Sequence, residues 1–170
     1  MKMKQKGIAP LIIVAIVVVV AVAGVGAYVV VSRGGGGGGG GGAGGDIASA
    51  TSLSFNVDST AEGVTSTMTF KAKDIGSSNM KIRIEGTAAG QEFKYIINGA
   101  QQKLWIYAAG QWMDLSSSFS EYWGTWNQAF TGYTGSLSGW TGGTWTSPDG
   151  TVTISDIVVN PDLSDSLFQP

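Results

Sequence analysis

The chain has 170 residues, 10 Lys and Arg against 12 Asp and Glu, and neither histidine nor cysteine. Without cysteine there are no disulfides, thiol nucleophiles or thiolate metal sites, and without histidine the commonest general base and metal ligand is missing. All the acidic residues fall at or after Asp46, with only Lys71, Lys73, Lys81, Arg83, Lys94 and Lys103 to set against them, a balance that disfavours nucleic acid and anionic headgroups as partners.

The first element is an uncharged apolar run from Ile8 to Val31. About 24 residues at ~1.5 Å rise reach ~36 Å, enough to cross a ~30 Å hydrocarbon core with some tilt. The run is rich in Val and Ile, weak helix formers in water, but helix is the only spanning option for a single segment in lipid. Pro10 suits the first helical turn. Lys2, Lys4 and Lys6 precede the run and Arg33 alone follows it, which places the N-terminus in the cytoplasm and the remainder outside. The competing reading is a cleaved signal peptide, with Ala21-Val22-Ala23 as the small-residue site.

Gly34 to Gly45 follows as a tether with a mean reach of roughly 20 Å. It lacks the strand-to-helix context and the Lys-Ser/Thr pair of a phosphate loop. The expected organisation is therefore residues 1–33 as cytoplasmic tip and transmembrane anchor, 34–45 as linker, and 46–170 as one extracytoplasmic domain, large enough for a real core.

From residue 51 to 107, apolar and polar residues alternate with period two. Leu53, Phe55 and Val57 share one face; Met68, Phe70 and Ala72 the next; then Met80, Ile82 and Ile84; then Phe93, Tyr95 and Ile97. Leu104 to Tyr107 is apolar on both sides, and Trp112 to Leu115 suggests a sixth short strand. Turn signals separate the runs, and Asn98-Gly99 reads as a type I′ hairpin. Consecutive hairpins of this kind imply a curved antiparallel sheet, wet on its convex side. The period then changes. Ser118-x-x-Glu121 resembles a capping box, and Phe119, Trp123, Trp126 and Phe130 share one helical face, with Tyr122 beside them. Thr131 to Gly150 reads as loop. A last strand runs from Thr151 to Val159, with Val152 and Ile154 on one face, Ile157 and Val159 on the other, and a bulge expected near Ser155-Asp156. The expected fold is mainly β: an N-terminal transmembrane helix plus a half-barrel of about seven strands, covered by one amphipathic, aromatic-rich helix.

The strand Lys81-Ile82-Arg83-Ile84-Glu85, the hairpin Ile96-Ile97-Asn98-Gly99 to Lys103-Leu104-Trp105-Ile106-Tyr107, the segment Trp112-Met113-Asp114-Leu115 and the C-terminal stretch Gly150 to Pro170 together resemble the LolA/LolB-like lipoprotein-carrier superfamily over residues 48–170. The resemblance implies an incomplete β-barrel, closed by helices, that holds acyl chains or other apolar ligands. The chain departs from the family's soluble carriers in its tether and in having fewer helical inserts. The stretch Lys6-Gly7-Ile8-Ala9-Pro10-Leu11-Ile12 is similar to archaeal anchors and type IV pilin-like leaders, which are cut after Lys-Gly.

All six tryptophans fall between Trp105 and Trp145. Each can be core or cavity wall. The expected hydrophobic ligand-binding set is Phe55, Met68, Phe70, Ile82, Ile84, Phe93, Tyr95, Trp105, Trp123 and Trp126. Tyr133, Trp140 and Trp145 lie among glycines and are expected to form a lid loop, a carbohydrate-stacking surface or a membrane-interface contact. No nucleophile elbow or Ser-x-x-Lys pair occurs, and Asp162-Leu163-Ser164-Asp165 is too sparse for a calcium loop, so no catalytic residue, cofactor or metal is expected. The leading expectation is a membrane-tethered domain that binds a hydrophobic ligand. A carbohydrate- or envelope-binding module and a pilin-like structural subunit are the alternatives. The protein partner is left open.

Overall fold

The computed structural model describes residues 47–61, 64–124, 126–127, 143–147 and 150–170. The expected membrane span, the glycine tether, Phe130, Tyr133 and Trp140 lie outside these residues. Among the described residues no helix is long and apolar enough to cross a membrane.

The strands are β1 (Ser52–Ala61), β2 (Val64–Lys73), β3 (Lys81–Ala88), β4 (Gln91–Asn98), β5 (Lys103–Ala108), β6 (Gln111–Asp114), β7 (Gly143–Ser147) and β8 (Gly150–Val159). They form one open, half-barrel-like sheet in the order β6-β5-β4-β3-β2-β1-β8-β7, and every pair described is antiparallel. The meander from β1 to β6 needs only hairpin connections, as the alternating pattern implies. Among the described residues one α-helix, α1 (residues 119–124 and 126–127), follows a 3-10 turn at Ser116–Ser118.

The expected count of about seven strands is corrected to eight among the described residues. The additional strand, β7, falls in the stretch read as loop. Thr144 and Thr146 bond through their hydroxyls to Thr153 and Thr151 of β8, at 2.9 and 3.3 Å. A five-residue strand of Gly, Thr, Trp and Ser has no apolar alternation to announce it, and its pairing partner supplies the order.

Parity divides the sheet into two faces. Inward lie Leu53 and Val57 of β1, Met68, Phe70 and Ala72 of β2, Ile82 and Ile84 of β3, Phe93, Tyr95 and Ile97 of β4, and Leu104 and Ile106 of β5, all in one buried core. The expected bulge is present. Ser54 pairs with Val158 but Asn56 pairs with Ser155, so Asp156 and Ile157 together face Phe55. Asp156 takes a left-handed φ of 53° there. The extra residue resets parity, so Val152, Ile154, Ile157 and Val159 all reach the inner core while Val158 points out, 41% exposed.

Two turns differ in instructive ways. Ala89-Gly90 and Ala109-Gly110 each join strands through two residues at positive φ, the type I′ form. The type I′ turn expected at Asn98-Gly99 is corrected: Asn98 ends β4 and pairs with Lys103, leaving a four-residue loop whose left-handed residue is Gln102, φ 54°. Asn98 turns its side chain to the loop instead, with Oδ1 accepting the Gln101 N–H at 3.2 Å. Glycine at 99 answers to crowding. A Cβ there would run into the Trp123 ring and into the carbonyl oxygens of Ser78 and Met80.

The outer face is not simply wet. Ile96, fully buried, packs with Leu163 and Phe168 in a second small core, bordered by Trp105, Trp112 and Leu167. Residues 160–170 form a strap that brings this cover across β2, β3 and β4. Asn160 anchors it: Oδ1 accepts the Thr51 N–H at 2.8 Å, and the Asn160 N–H donates to Ser52 O at 2.9 Å. Lys73 Nζ donates to Leu163 O at 2.9 Å, Arg83 Nη1 to Leu167 O at 2.7 Å, and Asn98 Nδ2 to Phe168 O at 3.3 Å. Outward apolar residues on β4 and β5 require such a cover, because an uncovered patch of Ile96 with Trp105 would remain in water.

Candidate functional site

The candidate site is the inner face and the helix lying on it. Phe55, Met68, Phe70, Ile82, Ile84, Phe93 and Tyr95 are brought to this face by strand parity, and Trp123 and Trp126 reach it from α1. Phe119 and Tyr122 join them. The i, i+4, i+7 spacing of Phe119, Trp123 and Trp126 therefore marks the packing face, as the helical period requires. The helix begins at residue 119, directly after Ser118.

Ring geometry organises the contact. Phe55 stacks on Phe70 at 4.7 Å between centroids, and Trp126 tilts against Phe70 at 6.1 Å and Tyr95 at 6.0 Å. Phe119 stacks on Trp123 at 5.4 Å. These separations are those of favourable aromatic pairs. Trp126 Nε1–H donates to Tyr95 Oη at 2.8 Å, a polar bond between helix and sheet inside an apolar setting. Burial pushes the Tyr95 phenol well above its ordinary value, against the Trp126 hydrogen bond, so it stays neutral across the physiological range.

This face is closed. Met68, Phe70, Ile82, Ile84, Phe93, Tyr95 and Trp126 are each 7% exposed or less, whereas Phe55 and Trp123 are half-buried. Any guest must displace part of the cover.

Trp105 is the correction within the expected set. Leu104 and Ile106 take the inward positions of β5, so Trp105, opposite Ile96, stands on the outer face beside the second core. The segment Leu104 to Tyr107 is apolar at every position, and alternation alone cannot tell which residues point in. Trp145 belongs to β7, opposite Val152, and not to a lid loop. The inner positions Leu104, Ile106 and Ile97 were not singled out as site residues, yet they line the same face; the hairpin register between β4 and β5 is the signal that identifies them.

The outer face offers a different kind of concavity, an open trough of about 330 Å³ lined by Asn56, Asp58, Thr67, Thr69, Glu85, Gly86 and Asp156. Asn56 bridges it, donating to Asp156 Oδ2 and accepting from Thr69 Oγ1, both at 2.9 Å. Burial raises the Glu85 carboxyl, but hydrogen bonds from Arg83 and Lys71 outweigh it and hold the group below the ordinary carboxylate value. Among the described residues no group of three or more His, Cys, Asp or Glu is placed to hold a metal. Within the trough, Asn56, Thr69 and Asp156 are committed to one another, and Glu85 to Arg83 and Lys71.

Comparison of the chain with protein-family models, with curated proteins and with solved structures finds no match, so the inner face and its helical cover carry the functional argument.

Proposed function

We propose that residues 46–170 are an extracytoplasmic binding domain for a hydrophobic ligand, a lipid or acyl chain, tethered through the glycine linker to a membrane span at residues 8–31. The observation that carries the reading is the pairing of a broad apolar sheet face with an aromatic cover, α1, whose Trp126 bonds to Tyr95. Most helical stability in water comes from packing of the amphipathic face, so α1 can leave and return while the hydrogen-bonded sheet persists. Lifting α1 frees an apolar wall, and ligand surface laid against it leaves water at ~25 cal/mol per Å². The resemblance of residues 48–170 to LolA/LolB-like carriers supports the same reading, since those are incomplete barrels closed by helices. The tether favours local capture of a ligand over diffusion between two membranes. The reading assigns no catalytic residue.

Native mass spectrometry of the full chain, purified from its own membrane, tests the proposal. A co-purified lipid adduct, or uptake of a fluorescent acyl probe, is expected. A clean unliganded mass together with no uptake of the probe would overturn it.

A further inference from the structure

The inner face is largely apolar, and one polar contact, a hydroxyl against an indole N–H, lies under the helix. Tyr95 is 4% exposed, and its oxygen accepts the Trp126 indole N–H at 2.8 Å. A phenol also donates, and among the described residues no acceptor receives the Tyr95 proton. An indole nitrogen can only donate. The pair thus brings two donors and one accepting oxygen to a buried place, and among the described residues one donor goes unanswered. Unanswered donors in apolar surroundings are costly, so a guest that answers them is selected over one that does not.

Charge narrows the guest further. Among the described residues all six basic side chains, Lys71, Lys73, Lys81, Arg83, Lys94 and Lys103, stand at outward positions of the sheet. A carboxylate drawn under α1 would therefore meet no cation, and an unpaired buried charge is strongly disfavoured. A pure hydrocarbon would leave both donors unmet once α1 shifts and the Trp126–Tyr95 bond opens. A neutral carbonyl oxygen has two lone pairs and can take both donors.

We infer that the inner face selects neutral, carbonyl-bearing apolar ligands, with the Tyr95 hydroxyl and the Trp126 indole N–H donating to the carbonyl oxygen. This rests on the hydrophobic-ligand reading above and adds the chemistry of the guest's polar group. Two sources supply such a group: acyl esters and long-tailed quinones.

The test uses the full chain in nanodiscs at pH 8, offered methyl palmitate, decylubiquinone, sodium palmitate or hexadecane, with bound guest counted by native mass spectrometry. Uptake of the ester or the quinone should exceed that of palmitate and hexadecane by roughly five- to tenfold, the worth of one net hydrogen bond. The first two arms distinguish the two sources. In wild type, the bound ester or quinone carbonyl should show an infrared stretch lowered by hydrogen bonding. Tyr95→Phe, which keeps the ring and leaves the Trp126 N–H as the one remaining donor, should reduce that lowering and narrow the preference for the ester and the quinone over hexadecane, while hexadecane uptake persists. Equal uptake of all four by wild type, preference for palmitate, or an unshifted carbonyl would overturn the inference and leave the hydrophobic-ligand reading standing. Uptake of none would overturn both.

Discussion

The two faces of this sheet are covered by different means. Over the inner face lies α1, docked through rings and the Trp126–Tyr95 hydrogen bond. Over the outer face lies the strap of residues 160–170, held by directional bonds from Lys73, Arg83 and Asn98 to its own backbone carbonyls. Every ion pair found among the described residues belongs to the outer side; Lys73 and Lys81 both reach Asp165, at 3.0 and 2.9 Å. Dispersion between rings tolerates sliding, whereas a set of carbonyl acceptors at fixed spacing does not. The inner cover is thus the one suited to move, and the outer one is a clasp.

Removing the clasp is the strongest way to break this contrast. A chain ending at Pro161 loses Leu163 and Phe168 and exposes Ile96. Phe168 alone, fully buried, is worth ~3–5 kcal/mol by Phe→Ala precedent, and the truncation should approach the whole stability of a domain, of order 5–15 kcal/mol. Chemical denaturation should show no cooperative transition, with strong binding of a hydrophobic dye; a native-like melt would refute the structural role of the strap.

Trp126→Ala attacks the inner cover. At 7% exposure the ring is packed, so about 3–5 kcal/mol should be lost in urea melts, with the sheet's circular dichroism retained below the transition. Trp123→Ala should cost distinctly less, because that ring is half-buried. Equal losses would show that the two rings support the fold alike.

Crowding at the glycines comes next. Gly99→Ala forces a methyl against the Trp123 ring and two carbonyl oxygens, and Gly86→Ala forces one against the Thr67 carbonyl of the neighbouring strand. Each should cost about 1–3 kcal/mol. The first should also loosen α1, read as faster amide exchange in residues 119–124, and the second should not.

The strap also gives the contrast a pH dependence. Hydrogen bonds from Lys81 and then Lys73 hold the Asp165 carboxyl below its ordinary value of 3.8. Its contribution is present above that value and is lost as pH falls through the lowered one. Lys81 runs the other way. Burial pulls its ammonium down, but bonds to Asp165 and Asp74 outweigh burial and raise it above 10.5, so its contribution is present below that value and is lost as pH rises through the raised one. Amide exchange at Leu163 to Phe168 should therefore accelerate below pH 3.8 and above pH 10.5, ahead of residues 119–124. Asp165→Asn should flatten the acid limb. Because Asp165 lies on the surface, the stability change itself is small. Smallest of all, Ala109→Asn, at a left-handed φ of 51°, should raise stability by a few tenths of a kcal/mol, since asparagine tolerates that conformation better.

Much of the fold was legible because its signals are local. The alternation of Met68, Phe70 and Ala72 against Lys71 and Lys73 names a half-buried strand without reference to any other part of the chain. The spacing of Phe119, Trp123 and Trp126 likewise names a helix face. The bulge at Asp156 was legible because a break in parity sits inside one strand. Three features were not. Trp105 lies in an unbroken apolar segment, where either parity is allowed and only the pairing with β4 chooses. Strand β7 has no apolar pattern and exists through β8. The strap looks like a polar tail, because its purpose lies in Ile96, Arg83 and Asn98, far away in the chain.

By itself, then, the amino-acid order determined that consecutive hairpins would form a mainly β domain with an oily face and an aromatic helix to lie upon it, since periods of two and 3.6 are properties of short stretches. The tertiary structure alone decided which side Trp105 faces, that the outer side carries a second core beneath the C-terminal strap, and that Tyr95 and Trp126 meet. Each of these depends on contacts between residues far apart in the chain, and no local periodicity encodes such a contact.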